Sequence, residues 1–199
     1  MAQDRVSPRP APTSGAPESE GMHTPEHLAG LSPQEFKLAF REHPAGVAVI
    51  TADAGDGPIG LTATSVFSVS AEPPLLVFSI ANESSSAPTI NRAETVVVHL
   101  LESEQLDIAT LCATSGIDRF ADTSIWDRLI TGEPYFTAAH TWIRGKVIDR
   151  MAAGGSTVIA VHALQARLHA QEERHDGHPL VYHNRTWHQL GDASRLDLP

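Results

Sequence analysis

Ile59-Gly60-Leu61-Thr62-Ala63-Thr64-Ser65-Val66-Phe67-Ser68-Val69-Ser70 decides the fold class. Its residues alternate with a period of two. Ile59, Leu61, Ala63, Phe67 and Val69 fall on one face, with Ser65 the exception. Gly60, Thr62, Thr64, Ser68 and Ser70 fall on the other. Successive side chains of a strand point to opposite faces, so this pattern predicts one long half-buried strand.

Working outward, the same signal recurs. Val47–Thr51 is apolar and β-branched, and Leu75–Ile80 is apolar on both faces, as a central strand requires. Thr95–Leu101, about 140–151 and about 156–169 read as further strands. Leu180–His183, the turn Asn184-Arg185 and Thr186–Leu190 read as a closing hairpin. Helices are few. Ser32-Pro33-Gln34-Glu35 is a capping box with proline at the first helical position, and Phe36, Ala39 and Phe40 follow at helical spacing. Ser103–Ala113 reads as a second helix capped by Ser103, and a short one should follow Ser84-Ser85-Ser86. Six to eight strands with two or three helices, and no βα alternation, predict a mainly β protein: a β-barrel with two or three peripheral helices.

Gly55-Asp56-Gly57-Pro58-Ile59-Gly60 matches the dinucleotide fingerprint letter for letter. That fingerprint works only where a helix begins, because the pyrophosphate sits on the helix N-terminus. Pro58 and the strand pattern after it make this stretch a hairpin loop instead.

Composition narrows the function. The chain has 199 residues, a formal net charge of −10 and one cysteine, Cys112. An acidic chain without a Lys/Arg cluster is not built to follow phosphates, so nucleic acid and anionic membrane surfaces are not expected partners. A single cysteine excludes an intrachain disulfide and a Cys-based zinc finger. No apolar run reaches the length of a membrane span, and the N-terminus lacks the apolar core of a signal peptide, which favours the cytoplasm. Residues 1–30 hold five of the 14 prolines and few large apolar side chains, so they are expected as a disordered tail. Residues 31–190 should form the domain, and 191–199 a second short tail.

Two hydroxyl clusters are candidates for a site. The polar face of 59–70 is one, although a solvated strand face has the same appearance. Ser84-Ser85-Ser86 is the other, since hydroxyls and free N–H groups at a helix N-terminus can hold an anion; a plain N-cap loop has the same pattern.

Taken in order, Pro44-Ala45-Gly46-Val47, Gly60-Leu61-Thr62-Ala63-Thr64-Ser65, Ser68-Val69-Ser70 with Pro73-Pro74-Leu75, Ser84–Ser86, Asp118-Arg119-Phe120 and Pro179-Leu180-Val181-Tyr182 resemble the flavin reductase family over about Phe36–Leu190. The resemblance implies a Greek-key, FMN-binding split β-barrel, usually a homodimer. It implies reduction of FMN or FAD by NADH or NADPH, with reduced flavin supplied to a separate flavin-dependent monooxygenase. It also implies that Thr62, Ala63, Thr64 and Ser65 line the isoalloxazine, that Ser84, Ser85 and Ser86 hold the phosphate, and that Ala45, Gly46, Arg119 and Phe120 lie close by. No catalytic side chain is required, since hydride passes directly to flavin. Many family members carry Gly-Asp-His where this chain has Gly154-Gly155-Ser156, which leaves Ser156 facing the nicotinamide. A non-catalytic flavin carrier and a related split-barrel oxidase of the pyridoxamine-phosphate or deazaflavin type are the alternatives.

Other residues read as structure. The histidines from His169 to His188, with Glu172, Glu173 and Asp176, lack metal-ligand spacing, so no metal is expected. Cys112 should be a packed small hydrophobe. Trp126, Trp142 and Trp187 should be core or interface. Tyr182 and His183 fit a structural role and a cofactor-facing one equally.

The composition of the first 30 residues makes a prediction. A chain beginning at Gly30 should match the full chain in melting temperature and in NADH oxidation rate. A fall of many degrees would show that the tail packs on the domain.

Overall fold

The computed structural model describes residues 30–168 and 177–196. The calls on residues 1–29, 169–176 and 197–199 lie outside them, among these His169, Glu172, Glu173, His175 and Asp176.

Twelve strands and three α-helices occur among the described residues. In chain order they are α1 (Pro33–Arg41), β1 (Ala45–Gly46), β2 (Ala48–Asp53), β3 (Pro58–Ala63), β4 (Phe67–Ala71), β5 (Pro74–Ala81), α2 (Ala87–Arg92), β6 (Thr95–Leu100), α3 (Leu106–Ala113), β7 (Trp126–Arg128), β8 (Pro134–Phe136), β9 (Thr141–Ala153), β10 (Ser156–Arg167), β11 (Leu180–His183) and β12 (Thr186–Gln189). A seven-stranded sheet runs β3-β2-β6-β9-β10-β5-β4, with β1-β11-β12 and β7-β8 beside it.

The expected long strand over 59–70 is two strands. β3 ends at Ala63 and β4 begins at Phe67, and they lie at opposite ends of the sheet order. The connection between them can stretch at most about 14 Å. The two edges are therefore drawn together and the sheet curls into a barrel that stays split. The Ser65 side chain spans the split: its Oγ donates to Ser79 O (3.1 Å) and accepts from Ser79 N (3.0 Å). The off-phase residue of the alternating stretch marks this break. Phe67 and Val69 are consequently exposed and do not continue the buried face of Leu61 and Ala63.

Two cores lie on the two sides of β2. Ala48, Ile50 and Ala52 face the barrel interior with Phe78, Ile80, Val96, Val98 and Ile159. Val47 and Val49 face a second core of Ile108, Cys112, Phe120, Phe136 and Leu180. Burial on both faces is why this strand reads as a continuous apolar run.

Other expectations need correction. The second helix begins as a 3₁₀ turn, Ser103–Gln105, before α3, and its cap is Glu102 rather than Ser103. The β7–β8 hairpin carries no period-two signal, since three-residue strands are too short to show one. Among the described residues no helix is long and apolar enough to cross a membrane, and no three His, Cys, Asp or Glu side chains gather into a metal-ligand set.

His99 on β6 is fully buried between the cores. Its Nδ1 lies 3.0 Å from Val49 O, and its Nε2 accepts from Phe136 N (3.1 Å). The imidazole is thus neutral with its proton on Nδ1, tying β6 to β2 and β8. Burial pushes its pKa down to about 4, against a smaller opposing effect of the Val49 carbonyl. A depressed histidine contributes stability that is present above about pH 6.5 and lost as pH falls toward about 4. Urea unfolding should therefore show a loss of about 2 kcal/mol between pH 7 and about pH 5. His99→Gln should be less stable at neutral pH and show a flatter slope across that window. An unchanged slope would contradict the assignment.

Candidate flavin site

An open cavity of about 690 Å³ lies where the split meets α3. β3 and the connection after it supply Leu61, Thr62, Ala63, Thr64 and Ser65. The turn after β5 supplies Glu83, Ser84 and Ser85, the loop after α3 supplies Ser115, Gly116 and Arg119, and β10 begins there with Ser156.

The hydroxyls divide by use. Thr62 Oγ1 donates to Ala109 O (2.6 Å), which seats α3 on β3. Ser65 is engaged with Ser79, as above. Ser86 is buried, and its Oγ donates to Gly60 O (3.2 Å). Thr64 and Ser85 are exposed, and Ser84 Oγ accepts from Ser86 N (3.3 Å) with its own proton left to donate. The helix-end part of the expected anion site is smaller than the sequence suggested. α2 has only six residues, and the N–H groups of Ser86 and Ala87 are taken by Ser84 Oγ and Ser84 O.

Arg119 supplies what the helix end does not. Its Nη2 donates to Thr114 O (2.7 Å), and Nη1 reaches Ser86 Oγ at 3.5 Å. Its Nε is buried with no acceptor. The cavity thus gathers the Arg119 guanidinium, one N–H of which is unsatisfied, with the hydroxyls of Ser84 and Ser85, a donor set suited to a phosphate monoester. Burying such a group unpaired is costly, so an anionic ligand would relieve it. The residues present therefore fit a flavin phosphate.

Phe120 does not line the cavity. Its ring stacks on Phe136 (centroids 5.4 Å apart) and meets Trp126 edge-on (5.1 Å), while Trp126 Nε1 donates to Phe120 O (2.9 Å). It anchors the loop in the second core and so presents Arg119. Gly60 permits this packing: a Cβ there would meet Cys112 Sγ at 3.2 Å and the Phe120 ring at 3.5 Å. Ala45 and Gly46 also lie outside the cavity, in a neighbouring groove that shares Thr64 and Ser65 with it.

Ser156 reaches the cavity through the β9–β10 turn. Gly154 adopts φ +59°, which glycine tolerates best, and Asn82 N donates to Gly155 O (2.9 Å). The tip is thereby pinned to the turn after β5. Ser79, Glu83, Cys112, Ser115 and Gly116 line the cavity too and were missed from sequence.

With this geometry in place, the comparisons with known proteins agree. The family model described as "Flavin reductase like domain" matches residues 40–191. The chain belongs to the flavin reductase family. It is 44% identical over 161 residues to a protein of Rhodococcus erythropolis named NADH:FMN oxidoreductase, covering 80% of this chain and 83% of that one. A flavin reductase domain protein from Arthrobacter sp. FB24 superimposes with a TM-score of 0.75 at 33% identity, covering 83% of this chain and 98% of the other. The flavin reductase component of a bacterial two-component tryptophan halogenase superimposes at 0.70 with 25% identity, covering 81% and 99%.

Cys112 is a lining residue without reactivity. It is 2% exposed, and burial pushes its thiol up to about 12, with Arg119 opposing. The thiolate is the nucleophile, so alkylation by iodoacetamide should be negligible in the native protein at about pH 8 and rapid in denaturant. Fast native labelling would contradict this packing.

Proposed function

We propose that this chain is an NADH-dependent flavin reductase that reduces FMN and releases it to a separate flavin-dependent monooxygenase. Arg119, which lines the cavity with Ser84 and Ser85 and whose buried Nε has no partner, carries the reading. The flavin, when bound, is the two-electron acceptor for the hydride of NADH. The chain's own part is orientation. Ser84, Ser85 and Arg119 hold the phosphate, Leu61–Ser65 form the wall along the ring, and the Ser156 hydroxyl offers a hydrogen bond to a carboxamide. A direct hydride transfer needs no side-chain acid, base or metal, only aligned reactants and exclusion of water. The name of the Rhodococcus relative supports NADH and FMN over NADPH and FAD, and the halogenase reductase supports a separate oxygenase.

The chain is further read as a homodimer. Phe67, Val77, Ala160 and Asp149 are cross-strand neighbours on one face of the sheet, as are Val158 and Met151. Directly opposite residues share a face. This face is turned away from Leu76, Val161 and Val147, which are buried. Phe67 and Met151 are 62% and 58% exposed there, an apolar surface suited to a second copy. The reaction belongs where NADH is replenished, in the cytoplasm.

The phosphate assignment separates two ligands. Arg119→Gln combined with Ser85→Ala should weaken FMN binding about tenfold or more. Riboflavin, which lacks the phosphate, should bind nearly as before. Flavin fluorescence titration reads both, and equal losses would remove Arg119 and Ser85 from the phosphate site.

A further inference from the structure

One charged residue of the flavin cavity has no part in holding the phosphate. Glu83 lines the cavity between Asn82 and Ser84, and among the described residues it and Arg119 are the charged side chains of the lining. The two do not neutralise each other. Arg119 donates to Thr114 O (2.7 Å), and its buried Nε has no acceptor. Glu83 is exposed, and among the described residues its carboxylate has no ion-pair partner, whereas Asp53, Asp56 and Glu133 are matched with Arg128, Arg92 and Arg144.

The fold keeps this carboxylate at the phosphate end. Ser84 N donates to Ala81 O (3.0 Å), closing a tight turn with Glu83 as its third residue. Asn82 N donates to Gly155 O (2.9 Å), and Asn82 Oδ1 accepts from Thr157 Oγ1 (2.9 Å), so the turn is pinned to the β9–β10 hairpin. On its other side Ser84 O accepts from Ala87 N (2.9 Å) and Ser84 Oγ from Ser86 N (3.3 Å). Consecutive Cα atoms lie about 3.8 Å apart. That is well inside the Debye length of about 8 Å at physiological salt, so an anion on Ser84 feels the charge of Glu83.

Charge then decides the effect. Arg119 and Glu83 cancel, while a phosphate monoester brings about −1.5 to −2 at neutral pH. A site built to retain such a group would surround it with cations. This one opposes its single cation with a carboxylate, which when ionised has no proton to donate to phosphate oxygens. The guanidinium and hydroxyls capture the phosphate, and the carboxylate lowers the net gain. We infer that Glu83 sets flavin exchange: its charge repels the bound FMN phosphate and keeps the flavin dissociable, as a flavin handed to another protein must be. The inference rests on the reading of Ser84, Ser85 and Arg119 as the phosphate site.

Flavin fluorescence titration of the full chain compares the wild type with Glu83→Gln and Glu83→Asp. Glu83→Gln, which keeps the shape and removes the charge, should bind FMN about threefold or more tightly, with slower dissociation in stopped flow. Riboflavin should bind it as it binds the wild type. The gain for FMN should shrink as salt rises toward about 1 M, where the Debye length falls to about 3 Å. Glu83→Asp keeps the charge and should match the wild type. A gain shared equally by riboflavin, a gain that salt leaves unchanged, or FMN binding unchanged or weakened in Glu83→Gln would overturn the inference. The last result, in a protein whose Arg119→Gln, Ser85→Ala variant still loses FMN selectively, would leave the phosphate site standing. Equal losses of FMN and riboflavin in that double variant would overturn the phosphate site and the inference with it.

Discussion

Three residues, Thr64, Ser65 and Val66, join the two edges of the seven-stranded sheet. Their short reach forces the sheet to curl, and the Ser65 hydroxyl stands in for a backbone ladder by exchanging two hydrogen bonds with Ser79. A hydroxyl can do this because it donates and accepts at once. The split that remains is not a packing defect. It is the wall of the cavity on one side and of the neighbouring groove on the other, since Thr64 and Ser65 belong to both.

The second core depends on the same strand pair. Thr62 seats α3 on β3, and Gly60 leaves room for Cys112 and Phe120 against it. From there Phe120, held by Phe136 and Trp126, fixes the loop that presents Arg119. Packing is thus converted into the position of one guanidinium. Ser86 completes the arrangement from the other direction, bonded to Gly60 and approached by Arg119.

How much of this was legible depended on the kind of signal. Apolar and β-branched runs revealed the class at β2, β5, β6, β9 and β10, and the absence of a regular βα alternation excluded a doubly wound sheet. Their approximate bounds survive in the structure. Periodicity could not show that 59–70 is broken, since β3 and β4 are both extended and only the off-phase Ser65 hinted at the break. Residue type pointed to Ser84 and Ser85 but could not separate them from Ser86, whose burial follows from its long-range contact with Gly60. The same limit applies to Phe120: resemblance drew attention to Asp118-Arg119-Phe120, while only the fold shows that one member lines the cavity and its neighbour anchors it. The charge pattern of the cavity was invisible in sequence, because Glu83 and Arg119 lie far apart in the chain and line one cavity only in the fold.

The account turns on hydride reaching a flavin held in this split. Its most direct test is an anaerobic titration of the full chain plus FMN with NADH, following the visible absorbance of the oxidised flavin. The account predicts that the absorbance bleaches in step with added NADH, one equivalent per flavin, and returns on admission of air. Absorbance that persists through excess NADH, with FMN bound, would contradict it.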